Sequence, residues 1–187
     1  MPLFARWRAE RELQRKAAAY VATLFRDPDS ADVAWLAQTA TRGDTDHAQW
    51  ELRYARRALG LLSAQRDALD DRTASSVAKE ISQAFARDHH VAAGMVETVE
   101  RQFNARLSAY RDGLAARAGA PTAVRMGQTL FAFAGGSFKV KDDNITRAGE
   151  LLATYLAEAN EALRSNFGAA ALPENIAPSE LGRAAGR

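Results

Sequence analysis

Three histidines, His47, His89 and His90, are the only imidazoles in the chain, and their spacing decides what chemistry they could share. His47 and Glu51 stand four apart, so on a helix they face the same way. If the chain folds back on itself near Asp70-Asp71-Arg72-Thr73, His47 comes level with Val96 and Tyr54 with His89. The three histidines, with Asp46, Glu51, Asp88 and Glu97, then gather within about two or three turns of one end of a helical hairpin. Imidazoles and carboxylates on two facing helices suit a divalent transition metal. The candidate ligand set is therefore His47, Glu51, His89, His90 and Glu97. Two features weigh against it. Neither Glu51 nor Glu97 is followed three residues later by a histidine, as di-metal carboxylate bundles require. His89 also falls on an apolar stripe, where it could simply bond to Tyr54 across a packed seam, and His47 with Glu51 reads equally well as a surface pair.

Aromatic residues offer a second kind of site. The same register sets Trp50 against Ala92, Ala93 and Gly94, where missing side-chain volume admits an indole. Trp50 and Tyr54 are candidates to line a ligand or partner slot, with core packing as the simpler reading. Phe131, Phe133 and Phe138 surround the Gly135-Gly136 pair and are either core or a groove for a hydrophobic ligand or a partner helix. Arg53, Arg56 and Arg57 form a compact basic cluster that could hold phosphate or acidic side chains. The simpler reading is a solvated edge balanced by acids on neighbouring helices, because a cluster of three is common in an arginine-rich chain.

Several chemistries have no residues to carry them. There is no cysteine, which removes thiol nucleophiles, disulfides and Cys-ligated zinc or iron-sulfur centres. The double glycine lies in no nucleotide-binding fingerprint, and no serine sits in a Gly-x-Ser-x-Gly elbow. No cofactor is required by the sequence. Net charge is only +2 and acids are interspersed with bases, unlike the concentrated basic face of a nucleic-acid binder.

The elements that must position these residues are helices. No proline lies between Pro28 and Pro121, and apolar residues recur at three and four throughout. Leu3 to Phe25 and Ser30 to Thr39 read as the first two helices. A stripe of Ala48, Leu52, Ala55, Leu59, Leu62 and Leu69 predicts a third over about 45–69. Val77, Ile81, Phe85, Ala92, Val96, Val99, Phe103, Leu107, Tyr110 and Leu114 predict a fourth over about 73–118, roughly 65 to 70 Å long at the usual rise. Thr122 to Ala134 and a final helix capped by Asp143 or Asn144 follow. Residues 137–141 alternate like a strand but have no partner strand, so they read as an extended loop.

The expected fold is all-α: an antiparallel helical bundle built on a long central hairpin of residues 45–69 and 73–118. One domain spans 1–172, and 173–187, rich in Pro and Gly, reads as a flexible tail. The far end of the long helix, Phe103 to Leu114, outlasts its partner and needs cover from the segment after Pro121 or from a second copy. A non-enzymatic helical interaction or scaffold module is the leading expectation, binding a protein partner, or itself as a homodimer, through an apolar groove or that helix extension. The alternative is a bundle enzyme or sensor holding a metal or small ligand near His47, Glu51, His89 and Glu97. No apolar run reaches the roughly 20 residues of a membrane span, and a cytoplasmic protein is expected. The basic first helix, with Phe4 and Trp7, carries enough acids to favour core packing over contact with a membrane surface.

Overall fold

A computed structural model gives the structure of residues 2–67, 71–136 and 141–168, with side chains from Arg6 onward. Seven helices make up the described residues, with no strand among them: α1 (Pro2–Leu24), α2 (Ser30–Thr39), α3 (Thr45–Asp67), α4 (Asp71–Arg87), α5 (Val96–Ala115), α6 (Thr122–Phe133) and α7 (Asp142–Phe167). The all-α bundle expected from the periodicity is the fold. Residues 68–70, which include the first of the expected turn, Phe138 with most of the strand-like stretch, and the tail 173–187 lie outside the described residues.

α3 is the axis. Residues 51–55 and 57–64 are all buried, and α3 touches each of the other six helices. A helix apolar on one stripe would bury only that stripe. α3 goes further because Ala48, Ala55, Ala58, Gly60, Ser63 and Ala64 leave room for neighbours on several sides, while its arginines are neutralised where they are buried. Its start is fixed by Asp44, whose Oδ1 accepts from the His47 N–H at 2.9 Å, and by the left-handed pair Arg42 and Gly43 that ends the preceding turn. At α2 the cap is Asp29, accepting from Ala31 N.

The expected long helix over 73–118 is two helices, and so the central hairpin of two long rods gives way to a single central helix with shorter ones around it. α4 stops at Arg87 and α5 begins at Val96. Two local causes act at this elbow. Asp88 turns its carboxylate to Arg57 of α3 and accepts from His90 N–H at 3.0 Å, an Asx turn that competes with the helix. Gly94 then adopts a φ of +80°, a left-handed conformation that glycine reaches without the Cβ penalty. α4 and α5 fold against each other, with the Phe85 and Phe103 rings edge to face at 5.2 Å.

α6 covers the far end of α5. Arg125 donates to the carbonyls of Gly113 at 2.9 Å and Ala116 at 2.7 Å and also to Ala120, which satisfies groups a helix C-terminus leaves open. Of the two covers expected for this end, the segment after Pro121 supplies it. α6 and α7 approach closely through Gly127 and Gly149. A Cβ at Gly127 would lie 2.4 Å from the Ile145 carbonyl, and one at Gly149 would lie 2.6 Å from that of Ala123. Among the described residues no helix is long and apolar enough to cross a membrane.

Candidate functional site

Arg53, Arg56 and Arg57 leave α3 at helical spacing toward the link that follows α1 and toward the α4–α5 elbow. Arg57 carries its charge into a site where its side chain is 1% exposed, and its Nη2 donates to Asp88 Oδ2 at 2.8 Å. Its guanidinium lies 3.8 Å from the Phe25 ring centroid and 5.2 Å from that of Phe85. Its Nε and Nη1 have no acceptor among the described residues. Burial pulls the Arg57 guanidinium below its ordinary range, and Asp88 opposes that pull.

Arg53, also buried, donates from Nε and Nη2 to Asp27 Oδ1 at 3.1 and 2.7 Å. These bonds hold the Asp27 carboxyl below the usual carboxylate range. Arg56 reaches Glu158 of α7 at 2.7 Å and stacks on Tyr155 at 4.4 Å. The basic cluster is thus three ion pairs radiating from the central helix, two of them anchored by buried arginines.

His89 and His90 join this network. The imidazole rings lie 3.8 Å apart between centroids, and His90 Nε2 is 3.6 Å from Asp27 Oδ1. Donor atoms of Asp88, His89 and His90 all fall within 4.8 Å of one another, and among the described residues this is the only group of three or more such side chains so disposed. A hollow of about 270 Å³ adjoins them, walled by Val21, Phe25 and Ala84 among others.

His47 and Glu51 lie together elsewhere, with Nε2 3.4 Å from Oε1. Glu51, 2% exposed, is taken by Arg106 of α5 through two bonds of 3.0 and 2.5 Å. That guanidinium stacks on Tyr54 at 5.0 Å and on Phe133 at 4.4 Å. The Tyr54 hydroxyl donates to Gln102 Oε1 at 2.7 Å rather than meeting His89, and burial pushes it up to about 12. Trp50 packs on Tyr54 with centroids 5.4 Å apart. Glu97 is exposed in the first turn of α5.

The candidate ligands therefore divide: His47 with Glu51 facing Arg106, and His89 with His90 at the elbow. The split follows from the elbow itself. A register drawn on one continuous helix carries His89 onto the α3 seam, whereas the Asx turn at Asp88 takes both histidines off it. Phe131 is core, edge to face with Trp35 at 5.9 Å, and Phe133 is half-buried beneath Arg106. Asp27 was not among the sequence candidates. Asp88 was noted only as an acid near the histidines.

A separate groove of about 590 Å³ opens between α3, α5 and α7. Leu62, Leu114 and Leu156 form its apolar part, and Arg66 and Arg111 stand at its edge. Compared with known protein families, with characterised proteins and with solved structures, the chain matches none.

Proposed function

We propose that the chain is a non-enzymatic helical interaction module that docks a partner protein in the groove between α3, α5 and α7, and that the partner presents leucine-type side chains flanked by carboxylates. The make-up of the groove carries this reading: half-buried Leu114 and Leu156 beside Leu62, with Arg66 and Arg111 flanking them. An apolar centre within a polar rim is the anatomy of a protein interface, and arginine is enriched in such surfaces. Among the described residues Arg66 is held by its neighbour Asp67 and Arg111 by Gln65, all exposed. Exposed pairs of this kind contribute little, so a partner's carboxylates can replace them.

The buried charges support a non-catalytic role, because Arg53, Arg57 and Glu51 are each already matched by an opposite charge. Dispersed charge argues against nucleic acid. On α1, the exposed Trp7 is stacked by Arg11 at 4.6 Å, which favours a solvated helix face over membrane contact. A cytoplasmic setting belongs to the same proposal, supported by the lack of cysteine.

The test is fluorescence anisotropy of a labelled peptide with leucines at i, i+3 and i+7 and glutamates between them. The full chain binds it saturably, and Leu114→Asp combined with Arg111→Glu weakens binding about tenfold or more while the helical circular dichroism is unchanged. Absence of saturable binding, binding that the double variant leaves intact, or a dimer in sedimentation that Leu114→Asp dissociates would each overturn the reading.

A further inference from the structure

We infer that Asp88, His89 and His90, joined by Asp27, form a binding site for one borderline divalent transition-metal ion of the Zn²⁺ class at the α4–α5 elbow. The inference is independent of the groove.

Convergence is the first observation. Successive residues of a helix point about 100° apart and those of a strand point to opposite faces, so three consecutive side chains seldom meet. Here a turn brings them together. The backbone N–H of Asp88 donates to Phe85 O at 3.3 Å and that of Val91 to Asp88 O at 2.9 Å, while Asp88 Oδ1 holds the His90 N–H. The result is two imidazoles and a carboxylate with donor atoms within 4.8 Å. Zinc–ligand distances of about 2.0 to 2.2 Å set tetrahedral ligand atoms about 3.3 to 3.6 Å apart, so the donors have to draw in. Two exposed rings on a short turn can do so.

The second observation is a fourth donor from a distant part of the chain. Asp27, in the link after α1, brings Oδ1 to 3.6 Å from His90 Nε2. Both bonds from Arg53 fall on that same oxygen, leaving Oδ2 for a ligand. Asp88 spends one contact on Arg57 and one on the His90 N–H, and a carboxylate has about four lone-pair sites. Neither acid must abandon its arginine to reach a metal.

Donor type sets the class of ion. Two imidazoles with carboxylates suit Zn²⁺ and its neighbours, whereas Ca²⁺ and Mg²⁺ take oxygen sets. The adjoining hollow leaves room for water to complete the coordination. Arg53 and Arg57 already neutralise the two acids, Arg87 beside the hollow is turned to Glu80, and Arg56 to Glu158. The site therefore binds through its imidazoles more than through net charge, and a bound ion would tie the link after α1 to the elbow between α4 and α5.

The experiment is equilibrium dialysis of the untagged full chain against Zn²⁺, with thermal melts in parallel. One Zn²⁺ per chain is expected, with a melting temperature that rises with metal because the ion binds only the folded site. His89→Ala with His90→Ala loses at least tenfold in affinity and abolishes the melting shift. His47→Ala, at the Glu51 cluster, changes neither. Asp27→Asn weakens binding by roughly tenfold, the scale on which groups around a metal act. His89→Gln and His90→Gln, singly, give the same direction of change should the double variant lose helix. Absence of saturable Zn²⁺ binding, binding retained by the double variant or lost in His47→Ala, or Ca²⁺ bound as tightly as Zn²⁺ would overturn the assignment.

Discussion

Arg57 and Glu51 are two buried charges on α3, each paired with a charge from outside α3, Asp88 of the elbow and Arg106 of α5. Removing one member of a buried pair leaves the other uncompensated, which costs about 3 to 5 kcal/mol, whereas replacing both by groups of similar volume is often neutral or stabilising. Asp88→Ala is therefore expected to cost about 3 to 5 kcal/mol, and Arg57→Met added to it to recover much of that loss; urea midpoints of the single and double variants check this. Arg106→Ala strands Glu51 in the same way, and Glu51→Gln on top of it restores part of the stability. The sequence displayed these arginines but not their burial. Three arginines at helical spacing are common on solvated faces, and their partners Asp27 and Asp88 lie 26 and 31 residues away from Arg53 and Arg57, beyond the reach of any local pattern.

Among the elements, the α4–α5 elbow and the α6–α7 crossing make opposite demands on glycine. Gly94 supplies a backbone angle, with open space around it, while Gly127 and Gly149 supply closeness. Because the atoms facing them are backbone carbonyls that cannot swing aside, Gly127→Ala and Gly149→Ala are expected to destabilise by about 1 to 3 kcal/mol through forced separation of α6 and α7. Thermal melts of the two variants measure this, and an unchanged midpoint in both would contradict the close crossing. Helix existence and the apolar stripes were legible, because they depend on spacing. The division of 73–118 was not. Gly94 sits inside a stripe that reads continuously from Phe85 to Val96, and the force that breaks the helix at Asp88 is a charge on α3. The halves of the candidate metal set parted for the same reason, since their register was counted along a helix that does not continue.

In the molecule as a whole, every tyrosine is buried. Tyr20, Tyr54, Tyr110 and Tyr155, all four in the chain, are raised above the ordinary tyrosine value by burial. A raised value in the folded state means that the protonated form stabilises the fold. That stability is intact below about pH 10, the unfolded value, and is lost as pH climbs toward the folded ones. Tyrosinate absorbance and loss of helical circular dichroism should then rise together in one alkaline transition; tyrosinate that forms well below the loss of helix would count against the burial of these rings. The same enclosure has a further consequence through α3, which is surrounded on all sides and draws part of its cover from α7. During synthesis, α3 leaves the ribosome about a hundred residues before Phe167 does. The part of its buried face that α7 covers has no partner on the nascent chain until α7 follows, although α1, α2, α4 and α5 can pack on the rest earlier, and fragments ending near Ala115 should expose that part and aggregate.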